Sequence, residues 1–169
     1  MAEFDSKDIL RGKIAGTKGM VRKQIKEMKI IEEEVDNLLS GDIKHLEDEG
    51  LERISKVLRE FHICAENALG FIAESFDEGI PRVDNVHRAL VEQMTRENAG
   101  SRPAVLDGSI AERLLGYLQF RLDFERDRME GNKETRVLPL AKDLKITSNA
   151  IRQQLMDFFE ALNKFHELE

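Results

Sequence analysis

Tryptophan is absent from the chain, proline occurs three times, and cysteine and tyrosine once each among 169 residues. Each scarcity removes a class of explanation. A single thiol, Cys64, cannot close an intrachain disulfide, so a reducing compartment is the simplest setting and the thiol itself reads as core filling. So few prolines leave room for long uninterrupted helices. No run approaches the roughly 20 apolar residues needed to span a bilayer, and Met1 to Lys7 has no apolar signal core. Those absences predict a cytoplasmic protein with no membrane segment. One cysteine and four scattered histidines do not make a standard zinc site. His45, His62, His87 and His166 also lack the glutamate three residues earlier that a di-iron bundle needs. With no phosphate loop and no dinucleotide fingerprint either, neither metal nor cofactor is expected.

Charge, by contrast, is plentiful. Charged residues make up 35% of the chain and hydrophobic ones 41%, a balance suited to helices that are wet on one side. The formal net charge is −7 and the pI about 5.3, so the molecule as a whole does not attract a phosphate backbone and any RNA contact must be local. A chain of this length buries roughly 70% of its unfolded surface, enough for one domain with a real core, here residues 1–169.

Apolar residues at steps of three and four, Val21, Ile25, Met28, Ile31 or Glu32, Val35 and Leu38, predict a helix over Gly19 to Leu39. Upstream, Asp5 to Gly16 has helical spacing, but Gly12, Gly16 and Gly19 each weaken it by about 1 kcal/mol against alanine, so residues 1–18 are expected to fray or hinge. A second long helix runs from about Asp42 or Leu46 to Phe76, with a seam from Leu51 through Leu58 and Ala65 to Ile72, and Gly79 and Pro81 stop it. Asp84 is a candidate N-cap for a shorter helix reaching Arg96. Ser109 and Glu112 form a capping box that opens a helix to about Glu130, closed by Gly131-Asn132. Pro139 kinks or delays a short helix over Glu134 to Leu144, and Thr147 or Ser148 caps the last, striped by Ile151, Leu155, Phe158 and Leu162. With no alternating strand pattern, the fold class is all-α, a bundle built on two long antiparallel helix pairs.

The runs Glu32-Glu33-Glu34 and Glu47-Asp48-Glu49 read as solvated helix faces. His62 lies beside an apolar face and reads as a half-buried histidine bonded to a neighbour. The most unusual chemistry is Phe120-Arg121-Leu122-Asp123-Phe124-Glu125-Arg126-Asp127-Arg128, where charges interrupt a helical seam. Arg121 and Arg128, seven apart, project from one face of a continuous helix, whereas Arg126 is turned about 140° away. Taken on spacing alone, these groups are a network of surface salt bridges, with Arg121 and Glu125 an i,i+4 pair.

Four segments change that reading when taken together. Gly79-x-Pro81 with His87-Arg88-x-Leu90-x-x-Gln93-Met94, then Arg102-Pro103-x-Val105-Leu106, then Phe120-Arg121, then Arg136-Val137-Leu138-Pro139-Leu140-Ala141, resemble HepT-like HEPN proteins in order and spacing, over roughly Glu66 to Leu162. The resemblance implies a helical, metal-independent endoribonuclease of a toxin–antitoxin system, working as a homodimer. It also implies a minimal nucleotidyltransferase antitoxin as partner. In active members an arginine is followed after four to six residues by a histidine and, two further on, a tyrosine. The histidine handles the proton of the 2′-hydroxyl or leaving group, while the arginine stabilises charge on phosphorus.

Carried onto this chain, the motif arginine is Arg121, the histidine position is Arg126 and the tyrosine position Arg128. An arginine stays protonated below a pKa of about 12, so it is no general base, and it offers no phenol for adenylylation. His62, four residues before Glu66, is the candidate substitute for the proton-transfer role. The candidate site residues are thus Arg121, Arg126, Arg128 and His62. The alternative is a non-catalytic HEPN dimer that binds RNA or the nucleotidyltransferase, and a third reading is a helical dimer with no nucleic-acid role.

Overall fold

A computed structural model describes residues 5–41, 47–129, 131 and 133–168. The described residues form five helices and no strand: α1 (Ser6–Leu39), α2 (Asp48–Phe76), α3 (Val86–Met94), α4 (Gly108–Glu125) and α5 (Lys133–Phe165). The expected all-α bundle is what forms.

Helix α2 lies at the centre and packs against each of the other four. Its seam residues Ile54, Leu58, Phe61, Ala65, Leu69 and Ile72 are all fully buried. Antiparallel pairing of α1 with α2 is fixed at both ends, by Arg53 Nε donating to Glu34 Oε1 at 2.6 Å and by the Thr17 and Ser75 hydroxyls at 2.7 Å. Helix α5 runs back along α1, where Lys145 Nζ meets Asp36 Oδ2 at 2.7 Å and Arg152 grips both carboxylate oxygens of Glu32 at 2.9 and 3.1 Å. Glu32 is therefore buried and paired, a correction to the solvated face read for its run; its position in the inward stripe of α1 explains why.

Element boundaries depart from expectation in physically distinct ways. α1 is one helix from Ser6, capped by the Asp5 carboxylate on the Lys7 amide, and its glycines do not break it. Burial of Ile14, Thr17 and Val21 along that stretch offsets the glycine cost. The expected start of α2 at Asp42 or Leu46 falls outside the described residues, and the described helix begins at Asp48. α3 starts at Val86 after Asn85, not after Asp84, and ends at Met94. The capping box at Ser109 does not form: Asp107 accepts the Ile110 amide at 2.8 Å and opens α4 at Gly108. Pro139 does not delay the helix or bound a separate short one, because α5 runs continuously through it from Lys133 to Phe165. Buried Val137, Leu138 and Leu144 surround the proline, and apolar burial at about 1.5–3 kcal/mol for each large side chain together outweighs the ~3 kcal/mol cost of proline in a helix.

The end of α4 matters most for the site. α4 stops at Glu125, short of the expected Glu130, which itself lies outside the described residues, as does Asn132. Asp127 takes a left-handed conformation, φ 52°. Its amide donates to Phe124 O at 3.3 Å while the Arg128 amide reaches back to Asp123 O at 2.7 Å. Those paired bonds, six-to-one and five-to-two, are a Schellman cap, with aspartate standing where glycine is commonest.

Candidate functional site

Three helices converge on one polar cluster. On α2, Arg59, His62 and Glu66 are spaced three and four apart and so share a face. On the last turn of α4, Arg121 and Glu125 share another, and α3 contributes His87. Arg121 is the hub. Its Nε donates to Glu125 Oε1 at 3.0 Å, and its Nη1 donates to His62 Nδ1 at 3.1 Å and to Glu66 Oε1 at 3.3 Å. Glu125 also accepts from Arg59 Nε at 2.7 Å, and Glu66 Oε2 lies 2.5 Å from His87 Nδ1. The Arg121 side chain is only 12% exposed, against 34% for His87. Arg121 Nη2 makes no hydrogen bond to a described residue.

The hydrogen-bond pattern sets protonation states. Because arginine only donates, His62 Nδ1 must accept, which makes the ring neutral and puts its proton on Nε2. Burial, then the positive charge of Arg121 and then His87, push the His62 imidazole down to about 3, against a smaller opposing pull from Glu125. His62 is fully buried and its Nε2 has no hydrogen-bond partner among the described residues. Burial alone would raise Glu125, but hydrogen bonds from Arg121 and Arg59 and their charges hold it below the usual carboxylate range.

Of the four residues singled out from sequence, the structure brings Arg121 and His62 together and leaves Arg126 and Arg128 apart from them. The Schellman cap takes both out of the helix, so the common face expected for Arg121 and Arg128 does not exist. Both are exposed, and neither guanidinium is hydrogen-bonded to a described residue, although Arg128 sits near enough to Asp123 to help lower its pKa. Glu66, His87 and Arg59 complete the cluster without having been assigned a part in it. The Arg59, His62, Glu66 spacing was readable as a polar stripe at helical steps; His87 comes from another helix and left no such signal. Among the described residues no three of histidine, cysteine, aspartate and glutamate gather to hold a metal ion, and no helix is long and apolar enough to cross a membrane.

A second network surrounds Arg102, which is 1% exposed. Its Nε and Nη2 grip Asp77 Oδ1 and Oδ2 at 2.7 and 2.8 Å. Remaining donors reach the carbonyls of Arg96, Pro103 and Gln93 at 2.8, 3.0 and 3.3 Å. Gln93 Nε2 and Asn98 Nδ2 also donate to Asp77, and Asn98 Nδ2 and Ser101 Oγ cap the Phe76 carbonyl. Burial works against the Asp77 carboxylate, yet the Arg102 and Gln93 hydrogen bonds and the Arg102 charge outweigh it and keep its pKa low. Gly79, at φ 101°, turns the chain out of α2 beside this clamp. Gly79, Gln93 and Arg102 therefore share one structural task, locking the α2–α3 and α3–α4 connections.

The fold and the cluster define an all-helical protein in which a half-buried polar junction joins an arginine to carboxylates and imidazoles. Residues 53–162, well over half the chain and including every member of that junction, match the family described as HepT-like protein. The chain belongs to the HepT-like family. No curated protein and no solved structure matches it.

Proposed function

We propose that the protein is a HepT-like member of the ribonuclease-toxin lineage that acts on RNA phosphodiester bonds without a metal ion. It works in the cytoplasm as a homodimer, paired with a nucleotidyltransferase-type antitoxin. The observation that carries this reading is Arg121. It occupies the family's motif-arginine position, three partners hold its Nε and Nη1, and its Nη2, which no described residue bonds, would meet an incoming phosphate. A guanidinium preorganised in this way stabilises charge as it develops on phosphorus, with little reorganisation. His62 serves as a positioning residue, since its lone pair fixes Arg121 while its own burial keeps it neutral. Arg126 and Arg128, beyond the cap, add positive charge on the solvent side of the same helix end.

A non-catalytic binding module is the second reading, favoured by the absence of histidine and tyrosine at 126 and 128. One experiment separates the two: incubate pure protein with tRNA and mRNA in the presence of a chelator, and measure cleavage and binding together. Cleavage that disappears in Arg121→Ala supports the first. Binding without cleavage at high protein concentration supports the second. RNA binding unchanged by Arg121→Ala and by Arg128→Ala, with an unaltered salt slope, removes both, because each lost phosphate contact should flatten that slope by about one ion.

A further inference from the structure

We propose that His87, oriented by Glu66, is the acid–base residue of the RNA-cleaving reaction, in place of the histidine that position 126 lacks. The inference rests on the ribonuclease reading above and supplies the one group that reading leaves missing. Three observations lead to it.

The first is elimination among the three imidazoles of the described residues, His62, His87 and His166; His45 lies outside them. His62 is sealed from solvent with its Nδ1 occupied by Arg121, so no substrate proton reaches it. His166 is bonded through Nε2 to Ser101 O at 2.7 Å and touches no member of the cluster. His87 is one-third exposed and its Nε2 has no hydrogen bond to a described residue.

The second is the hydrogen bond between His87 Nδ1 and Glu66 Oε2 at 2.5 Å. A carboxylate accepting from Nδ1 selects the tautomer with a free lone pair on Nε2 and stabilises the imidazolium that forms when that lone pair takes a proton. Glu66 uses its other oxygen on Arg121, so a single carboxylate links the proton-transfer group to the charge-stabilising group. That linkage fixes their separation through rigid helices α2, α3 and α4.

The third is the groove beside the pair, about 230 Å³, walled by Phe71, Ile80 and Leu90, with Asn67, Glu66 and Glu74 among its polar groups. Its carboxylates disfavour a phosphate, while its aromatic and aliphatic walls suit the flat face of a nucleobase. A nucleotide seated with its base there places its ribose toward His87 and its 3′-phosphate toward Arg121.

The step then balances. His87 Nε2 removes the 2′-hydroxyl proton as O2′ forms a bond to phosphorus. The bond from phosphorus to O5′ breaks, and the same Nε2 returns the proton to O5′. The products are a 2′,3′-cyclic phosphate and a 5′-hydroxyl, with no net proton change and no co-reactant. Arg121 neutralises the phosphorane-like charge between the two proton transfers.

The test compares wild type, His87→Gln, His87→Gly, Glu66→Gln and Arg121→Ala on an RNA oligonucleotide with chelator present, reading rate and end groups. Each variant's thermal unfolding is measured alongside. Expected results are 2′,3′-cyclic phosphate ends from wild type, a loss of about 100-fold or more in folded His87→Gln, and partial recovery of His87→Gly by added imidazole. Glu66→Gln should fall between wild type and His87→Gln. Cleavage by His87→Gln within threefold of wild type, or a His87→Gly loss that imidazole does not relieve, overturns the inference and leaves the ribonuclease reading standing if Arg121→Ala is inactive. A wild type that never cleaves overturns the ribonuclease reading, and the acid–base role of His87 with it.

Discussion

Replacing Arg102 with alanine should be among the most damaging single changes in the chain, although no catalysis is attributed to it. The guanidinium is 1% exposed and satisfies five acceptors: two carboxylate oxygens of Asp77 at 2.7 and 2.8 Å, and the carbonyls of Arg96, Pro103 and Gln93. Its removal strands a carboxylate that is itself only 6% exposed. Breaking one side of a buried pair typically costs about 3–5 kcal/mol, mostly because the other charge stays behind without compensation. For a domain of this size each kcal/mol lowers Tm by about 2–4 °C, so the expected fall is about 6–20 °C. Urea and thermal unfolding followed by circular dichroism measure it directly, with Arg53→Ala as the control. The Arg53 side chain is 54% exposed in its pair with Glu34, and an exposed pair is worth about 0–1 kcal/mol. Arg102→Ala losing no more than Arg53→Ala would refute the clamp.

Acid should destabilise the protein partly through His62. Its imidazole is ordinary in the unfolded chain, at 6.5, and falls to about 3 when folded, so below pH 6.5 only the unfolded state gains the proton. Stability then drops by about 1.4 kcal/mol per pH unit as pH falls toward 3, and His62→Gln should flatten that slope in urea titrations at pH 6.5, 5.5 and 4.5. Asp127→Gly should raise stability by up to about 1 kcal/mol, since it relieves a left-handed aspartate while keeping the Schellman bonds, and a lowered Tm would contradict the cap. The Cys64 thiol is pushed up to about 11 from 9.0 by burial first and then by Glu27 and Glu60, so its alkylation by iodoacetamide at pH 8 should be about a hundredfold slower than that of the denatured chain.

Much of the architecture was readable because burial follows period. The seams of α1, α2 and α5 name the buried residues almost one for one, Val21 to Val35 and Ile54 to Ile72 among them. Boundaries were less readable, since caps compete locally. Asp107 and Ser109 are both good N-cap residues, and only the turn geometry selects the former. The failure with most consequence was at Asp127. A left-handed aspartate carries no strong sequence signal, so α4 was drawn through it and Arg128 was placed on the wrong surface. Arg121 was found because its motif position resembles the family's, and its tie to Glu125 because i,i+4 spacing reports helix neighbours. Contacts between helices are a different matter: the bonds of Glu66 to Arg121 and to His87 depend on how three helices pack, which spacing within one helix does not encode.

The matched residues begin at Arg53, five residues into α2, and so leave out all of α1. Yet α1 shields one flank of the central helix from end to end, and Val21, Met28 and Val35 are almost wholly enclosed in doing so. A fragment trimmed to the limits of family likeness would present a long greasy stripe to water, sticky enough to clump or recruit a foreign helix. Evolutionary signature and folding unit thus have different borders in this molecule, and expression trials should respect the wider one.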